Sequence, residues 1–372
     1  MKKSIVWGTC WFNESIEILV NFYNESLKSL KTLNYEVKPI IFSAKLNRSQ
    51  EDIKQIKNSI PEVIILQNTT NIFPNKNYGV ALITKIAKEK NIDYIAIVDS
   101  DWDIKENSSF VKNTVMKLID GQYDIIIPNI GDASGRSNLL IGRTIIHLFY
   151  PDYKDLILTA FPGSLVCKTQ KLYEIISDEN YHYDWGGEWD IISIAIKNNM
   201  NINSFPVQVD NVRHRPNNSK MQDSFQIWRA VLSNEDILKR YDNLEKSSIV
   251  IDNNDTLTKE IITKTSVSDF INILSRNDFN ETQKQILYMI IYPLAFLIGE
   301  IKTIPIIEDY TNPYKKEEMK KYLNLALYCA KETLKNINIK EIYEKSKNVE
   351  GKYISSWNYQ NQRKAFMNYK EV

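Results

Sequence analysis

The sequence predicts an α/β protein, with a mostly parallel sheet in its first part and an all-helical region after it. Three observations carry this. Short apolar runs at residues 4–8, 37–42, 63–66 and 94–98 alternate with stretches whose apolar residues fall at helical spacing. Beyond about residue 224 the strand signals thin out and long amphipathic helices take over. The apolar run 94–98 opens directly into Asp99, Ser100, Asp101, Trp102 and Asp103, so a buried strand delivers carboxylates to its exposed carboxyl end, where an open α/β sheet places its ligand.

In chain order, residues 4–8 form a first strand, since the apolar run after Met1, Lys2 and Lys3 is too short for an export signal. Residues 16–33 form a helix and 37–42 a second strand, giving a βαβ order. Residues 63–66 form a third strand. Val80, Ile83, Ile86 and Ala87 mark a helix over 80–90, and 94–98 is the next strand. Asp184, Trp185, Gly186, Gly187, Glu188, Trp189 and Asp190 open a helix that runs to about 198, followed by a strand over 202–209 and then Arg213, His214, Arg215 and Pro216. Helices over 282–298 and 316–334 dominate the rest. The Asn, Ser, Lys and Asp cluster at 216–250 marks the boundary, giving one domain over 1–223 and a helical one over 224–372. The apolar stretch 286–299 is too short to span a membrane and contains Pro293, so it reads as a buried helix. Its apolar stripe needs covering, and a homodimer contact or a lid would cover it.

The composition limits the function. A chain of 372 residues with 43% apolar content has room for two domains and a proper core. Lys plus Arg (47) nearly balance Asp plus Glu (46), so there is no general field for nucleic acid or an anionic membrane, and an anionic ligand must be held locally. Three widely spaced cysteines, Cys10, Cys167 and Cys329, argue against a disulfide framework and a thiolate metal site and for a reducing cytoplasm.

Asp99 and Asp101 suit a hard divalent cation, Mg²⁺ or Mn²⁺, bound together with phosphate oxygens; a turn capping a helix is the plainer reading of the same residues. Gly186 and Gly187 let backbone approach a ligand closely, and acids in a first helical turn can aim at sugar hydroxyls or simply favour the helix dipole. Glu188 and Asp190 lie about 200° apart on an ideal helix, so one of them serves structure. Trp7, Thr9 and Glu14, after the first strand, are candidates for a base and ribose, with Trp7 also fitting a core.

Taken together, the strand-end Asp99, Ser100, Asp101 triplet, the Trp185 to Glu188 run and the distal His214 resemble the GT-A fold of nucleotide-sugar glycosyltransferases. The segment from Trp185 to His214 is similar to its counterpart in the polypeptide N-acetylgalactosaminyltransferases. Over nearly the whole chain the sequence resembles the mannosylglycerate synthases, and more distantly the glucosyl-3-phosphoglycerate synthases. Gln67 with Asn75, Lys76, Asn77, Tyr78 and Gly79 matches that family's nucleotide loop, Arg143 and Thr144 lead to Tyr150 and Pro151, and Asn280 to Gln283 precede the apolar helix as they do there.

The resemblance implies a metal-dependent, retaining hexosyl transfer from GDP-mannose or a UDP-sugar to a small hydroxylated acceptor of the glycerate or sugar type. It places Asp101 and His214 on the metal, with Thr9, Glu14, Gln67, Lys76, Asp99, Ser100 and Gly163 around the donor. It leaves Glu188 or Asp190 to orient the sugar and Arg136, Pro162 and Trp185 near the acceptor. Two departures stand out. The family's loop glycines are Asn75 and Asn77 here, and its basic glycerate-binding stretch is replaced by residues 125–132, which carry no basic residue, leaving Arg136 as the nearest substitute. A nucleotidyltransferase would need a Gly-rich basic loop after the first strand, which residues 7–13 lack; an inactive sugar-nucleotide-binding scaffold is the non-enzymatic alternative.

Overall fold

The structure is a computed structural model and describes residues 2–45, 48–68, 76–99, 104–129, 137–161, 163–207, 220–247, 249–251, 255–303, 320–335, 337–348 and 359–369. The chain forms two compact units. The first comprises Met1–Ala133, Pro162–His214 and Ser355–Val372; the second comprises Ser134–Phe161 and Arg215–Ile354. The chain passes between the units at 133–134, 161–162, 214–215 and 354–355, so neither unit is one continuous stretch.

In chain order, the first unit is built from β1 (Ser4–Trp11), α1 (Ile16–Lys31), β2 (Glu36–Ser43), α2 (Gln50–Ser59), β3 (Ile64–Gln67), α3 (Lys76–Glu89), β4 (Tyr94–Ile97), α4 (Ile104–Asp120) and β5 (Ile125–Asn129). The helix α5 (Arg143–Phe149) belongs to the second unit, and the chain then returns with β6 (Leu165–Lys168), α6 (Thr169–Ile176), α7 (Gly186–Lys197) and β7 (Ile202–Pro206). The seven strands make one sheet in the order β3-β2-β1-β4-β6-β5-β7, parallel except where β6 runs antiparallel between β4 and β5. This is the α/β class the alternation predicts. The strand β6, Leu-Val-Cys-Lys, was not read from the sequence, although it is as long as β3 and β4.

Side-chain alternation along β1 separates its two faces. Ile5, Trp7 and Trp11 join Leu19, Phe22 and Tyr23 of α1 and Phe110, Val111 and Val115 of α4 in one core. Trp7 is fully buried, with its ring 5.3 Å from Tyr23 and 6.4 Å from Phe22, so it is a core residue and not a base-stacking one. Burying an aromatic of this size removes about 150–250 Å² from water, an upper bound of roughly 4–6 kcal/mol. On the opposite face a Cβ at Gly8 would meet Ile83 of α3 at 3.0 Å. Ser15 caps α1 by accepting from the Ile18 N–H, with Glu17 in the first turn and Lys28 and Lys31 in the last, as the helix dipole favours. At the sheet's far side Asp124 accepts from Lys168 Nζ at 2.8 Å and from the Asn201 N–H at 3.0 Å, tying β5, β6 and β7 together.

In the second unit, Asn280 opens a helix through a capping box with Gln283, so the Asn280 to Gln283 run has a local structural cause. The helix expected over 282–298 proceeds as Glu281–Ile286, a π-turn over Leu287–Ile291 and Tyr292–Ile298, ending on Gly299 at φ 87°. The wider π-turn comes just before Pro293, which has no N–H to give the ladder. Ile286, Leu287, Ile290, Ile291, Leu294 and Leu297 are all buried within the chain. Trp228 Nε1 donates to the Met289 carbonyl at 3.0 Å, and Tyr150 donates to Asp236, which also receives Arg240. The helix expected over 316–334 is seen as Leu323–Leu334, with residues 316–319 outside the described ones. Among the described residues no helix is long and apolar enough to cross a membrane.

Candidate active site

The antiparallel strand builds the site. Because Leu165 of β6 lies opposite Ile97 of β4, the residues before β6 arrive beside those after β4. Val98 still donates to the Gly8 carbonyl at 2.9 Å, and the next N–H, that of Asp99, is received by the buried Ser164 Oγ at 2.8 Å. Gly163 takes φ 60°, and a Cβ there would stand 2.5 Å from Asp99 Oδ2 and 3.2 Å from Lys76 Nζ. Glycine is needed on both counts.

Lys76 opens α3 and is only 7% exposed. Its Nζ lies 2.7 Å from Asp99 Oδ2 and 3.6 Å from Glu188 Oε1, so a strand end, a helix start and the first turn of α7 converge on one ammonium. A cation at a helix N-terminus opposes the dipole, and the two carboxylates offset that cost. The α7 turn is fastened to α3 as well: Asn77 Nδ2 donates to the Asp184 carbonyl at 2.7 Å, and a Cβ at Gly187 would collide with the His182 carbonyl and with Asn77. Asp184 Oδ1 receives the Gly186 N–H at 2.9 Å and steers the chain into the helix.

Asp190 points elsewhere. It is fully buried, and its Oδ2 receives the His182 N–H at 2.7 Å and pairs with His182 Nδ1 at 2.8 Å. Burial pushes its carboxyl above the ordinary value, against the pull of His182. Of the two acids left open by the sequence, Asp190 clasps His182 and so holds the loop from 182 onward, while Glu188 meets Lys76.

The remaining expected residues divide clearly. Thr9 is fully buried and gives its hydroxyl to the Val98 carbonyl at 2.9 Å, bracing β1 against the end of β4. Glu14 Oε2 accepts from the Phe12 and Asn13 N–H groups, shaping the turn after β1. Gln67 ends β3, and Trp185 is half-buried at the start of α7. Ser100, Asp101, Arg136, Pro162 and His214 lie outside the described residues, as do Asn75 and Asp103.

Arg48 was not anticipated. Its guanidinium lies 3.4 Å from the Trp11 ring centroid, with Nε on Ser43 Oγ at 2.9 Å and Nη2 on the Phe12 carbonyl at 2.6 Å. Asn77 was expected only as part of the nucleotide loop, and its hold on the Asp184 carbonyl, like the contacts of Ser164 with Asp99 and of His182 with Asp190, was not anticipated.

Among the described residues no group of three or more His, Cys, Asp or Glu side chains could hold a metal ion, and the expected ligands Asp101 and His214 fall outside that set. The donors that are described, Asp99 and Glu188, are hard carboxylate oxygens, which fits Mg²⁺ or Mn²⁺.

No family model matches the chain, and no curated protein matches it. Among solved structures, a mycobacterial protein is similar with a TM-score of 0.50 and 16% identity, over 62% of this chain and 74% of its own. Glucosyl-3-phosphoglycerate synthase from Mycobacterium tuberculosis, in complex with Mg²⁺ and uridine diphosphate, gives a TM-score of 0.49 at 16% identity, over 62% of this chain and 79% of that one. The same enzyme with Mn²⁺, UDP-glucose and phosphoglyceric acid gives the same values. The likeness is one of fold alone.

Proposed function

We propose that this chain is a metal-dependent glycosyltransferase that moves a hexose from a nucleoside-diphosphate sugar, GDP-mannose or a UDP-sugar, to a small hydroxylated acceptor of the glycerate or sugar type, in the cytoplasm. The observation that carries the reading is the buried Lys76 held between Asp99 and Glu188 at the carboxyl end of β4. An ammonium here suits a diphosphate, and carboxylates here suit a cation and sugar hydroxyls.

In this reading Lys76 contacts the phosphates, Asp99 faces the ribose or the metal shell, and Glu188 orients the sugar. Asp101 and His214 would hold the Mg²⁺ or Mn²⁺, which supplies Lewis-acid neutralisation of the charge that grows on the leaving diphosphate. By resemblance the anomeric configuration is retained, with the acceptor hydroxyl attacking from the leaving-group side. The test is a screen of GDP-mannose, UDP-glucose, UDP-GlcNAc and UDP-galactose against glycerate, phosphoglycerate and simple sugars, with NMR of the anomeric proton. One pair should give a product with its configuration kept. Donor binding without turnover of any pair would favour a binding scaffold, and an inverted product would overturn retention.

A further inference from the structure

The helix Tyr359–Asn368 belongs to the first unit, although the whole of residues 215–354 separates it from the rest of that unit. Two cations fasten it. Arg363 donates Nη1 to the Asp178 carbonyl at 2.8 Å and Nη2 to the Ser177 carbonyl at 3.0 Å, just past the end of α6. Lys85 of α3 donates Nζ to the carbonyls of Phe366, Met367 and Tyr369 at 3.0, 3.1 and 3.0 Å, satisfying the helix's own terminal acceptors where a positive charge is favoured.

Between these ties Phe366, 1% exposed, lies 5.2 Å from the Tyr183 ring, with Lys85 above its own ring. Tyr183 stands edge-on to Tyr181 at 5.2 Å and to Tyr78 at 6.2 Å. Tyr181 donates to the Asn77 carbonyl, and Asn77 in turn donates to the Asp184 carbonyl. The ring contacts therefore end on the turn that aims Glu188. This turn leaves α6 beside the carbonyls held by Arg363 and is clasped internally by His182 and Asp190.

We infer that Phe366 is a positioning residue: the helix Tyr359–Asn368 backs the tyrosines at 181 and 183 and so holds the 181–188 turn, and with it Glu188, in register with Lys76. Removing the ring exposes Tyr183 and leaves a gap behind the turn, which then opens more often. The catalytic consequence rests on the role of Glu188 proposed above; the mechanical one does not.

The experiment uses the full chain with Phe366→Ala, the conservative Phe366→Leu, Arg363→Gln and, as a separate arm, Glu188→Gln. Hydrogen exchange is followed in peptides covering 178–190 and, for reference, 4–11 and 94–98. Phe366→Ala should speed exchange across 178–190 by about tenfold or more while the strand peptides hold, Arg363→Gln should do so less, and Phe366→Leu should largely restore protection. With a donor in hand, Phe366→Ala should lower kcat more than it raises KM. Should Phe366→Ala prove insoluble, Arg363→Gln against wild type decides by the same peptides. Unchanged exchange across 178–190, or loss spread evenly over the strands, overturns the inference. Full activity in Glu188→Gln with altered exchange in Phe366→Ala overturns the functional reading alone.

Discussion

Lys76 and Asp99 meet at 2.7 Å from opposite kinds of element, one at the first turn of a helix and one past the end of a strand. Each makes the other tolerable there, since a buried charge needs a partner. Lys76→Met should weaken uridine or guanosine diphosphate binding by about tenfold or more and destabilise the fold by about 1–3 kcal/mol, read by calorimetry and denaturant melts. The double variant with Asp99→Asn should be less damaging than the sum of the two singles. Strict additivity would show that the two are uncoupled.

Glu188→Gln keeps the volume and removes the charge beside Lys76. It should lower kcat by about 10²- to 10³-fold with the thermal midpoint little changed, as for loss of a transition-state electrostatic contact. Asp190→Leu should behave in the reverse way, losing stability because it removes the acceptor that clasps His182.

Metal removal tests the part of the site that involves Asp101 and His214. EDTA should abolish turnover, added Mn²⁺ or Mg²⁺ should restore it, and Asp101→Ala should prevent the rescue. Turnover in a metal-free preparation would refute the assignment.

Gly163→Ala forces a side chain onto left-handed backbone and into Asp99 Oδ2. The backbone cost alone is about 1–2 kcal/mol, and the collision should part Asp99 from Lys76. Activity should fall by more than the loss of stability explains, as measured by comparing kcat/KM at a temperature where both proteins remain folded.

Asp124 gives a pH signature away from the site. Burial pushes its carboxyl up, but the Lys168 ammonium and the Asn201 N–H outweigh this and hold it below the ordinary value. The folded protein thus keeps the carboxylate to lower pH than the unfolded chain, so this stabilisation is complete above the unfolded value, about 3.9, and fades as pH falls through the folded one. Asp124→Asn should cost about 1–2 kcal/mol at pH 7, allowing for partial exposure, and the gap to wild type should close in strong acid.

The sheet's parallel half was legible where a buried apolar run alternates with a helical period, as with the helices over 16–33 and 80–90; the helices α2 and α4, after the runs at 37–42 and 94–98, were not read from the sequence. The site was legible where chemistry is concentrated in one short stretch, as at Asp99 and Glu188. It was not legible where geometry depends on a distant pairing: antiparallel pairing of β6 with β4 brings Gly163 and Ser164 to Asp99, and no local pattern announces that. Asp190 shows a related limit. Its spacing from Glu188 placed the two acids on different faces, but which of them would be tied up inside the loop depended on His182, eight positions upstream and in contact only after folding.

The helix Tyr359–Asn368 also has a consequence for the order in which the molecule is made. On the ribosome, at about 5–20 residues per second, strands β1 to β7 emerge and can pair long before this helix exists, and all of residues 215–354 must be translated in between. During that interval Tyr183 has no ring behind it. The nascent sheet can be complete while the acid that faces Lys76 still rests on a turn without that backing, so the proposed competence for sugar transfer should arrive later in synthesis than the sheet itself.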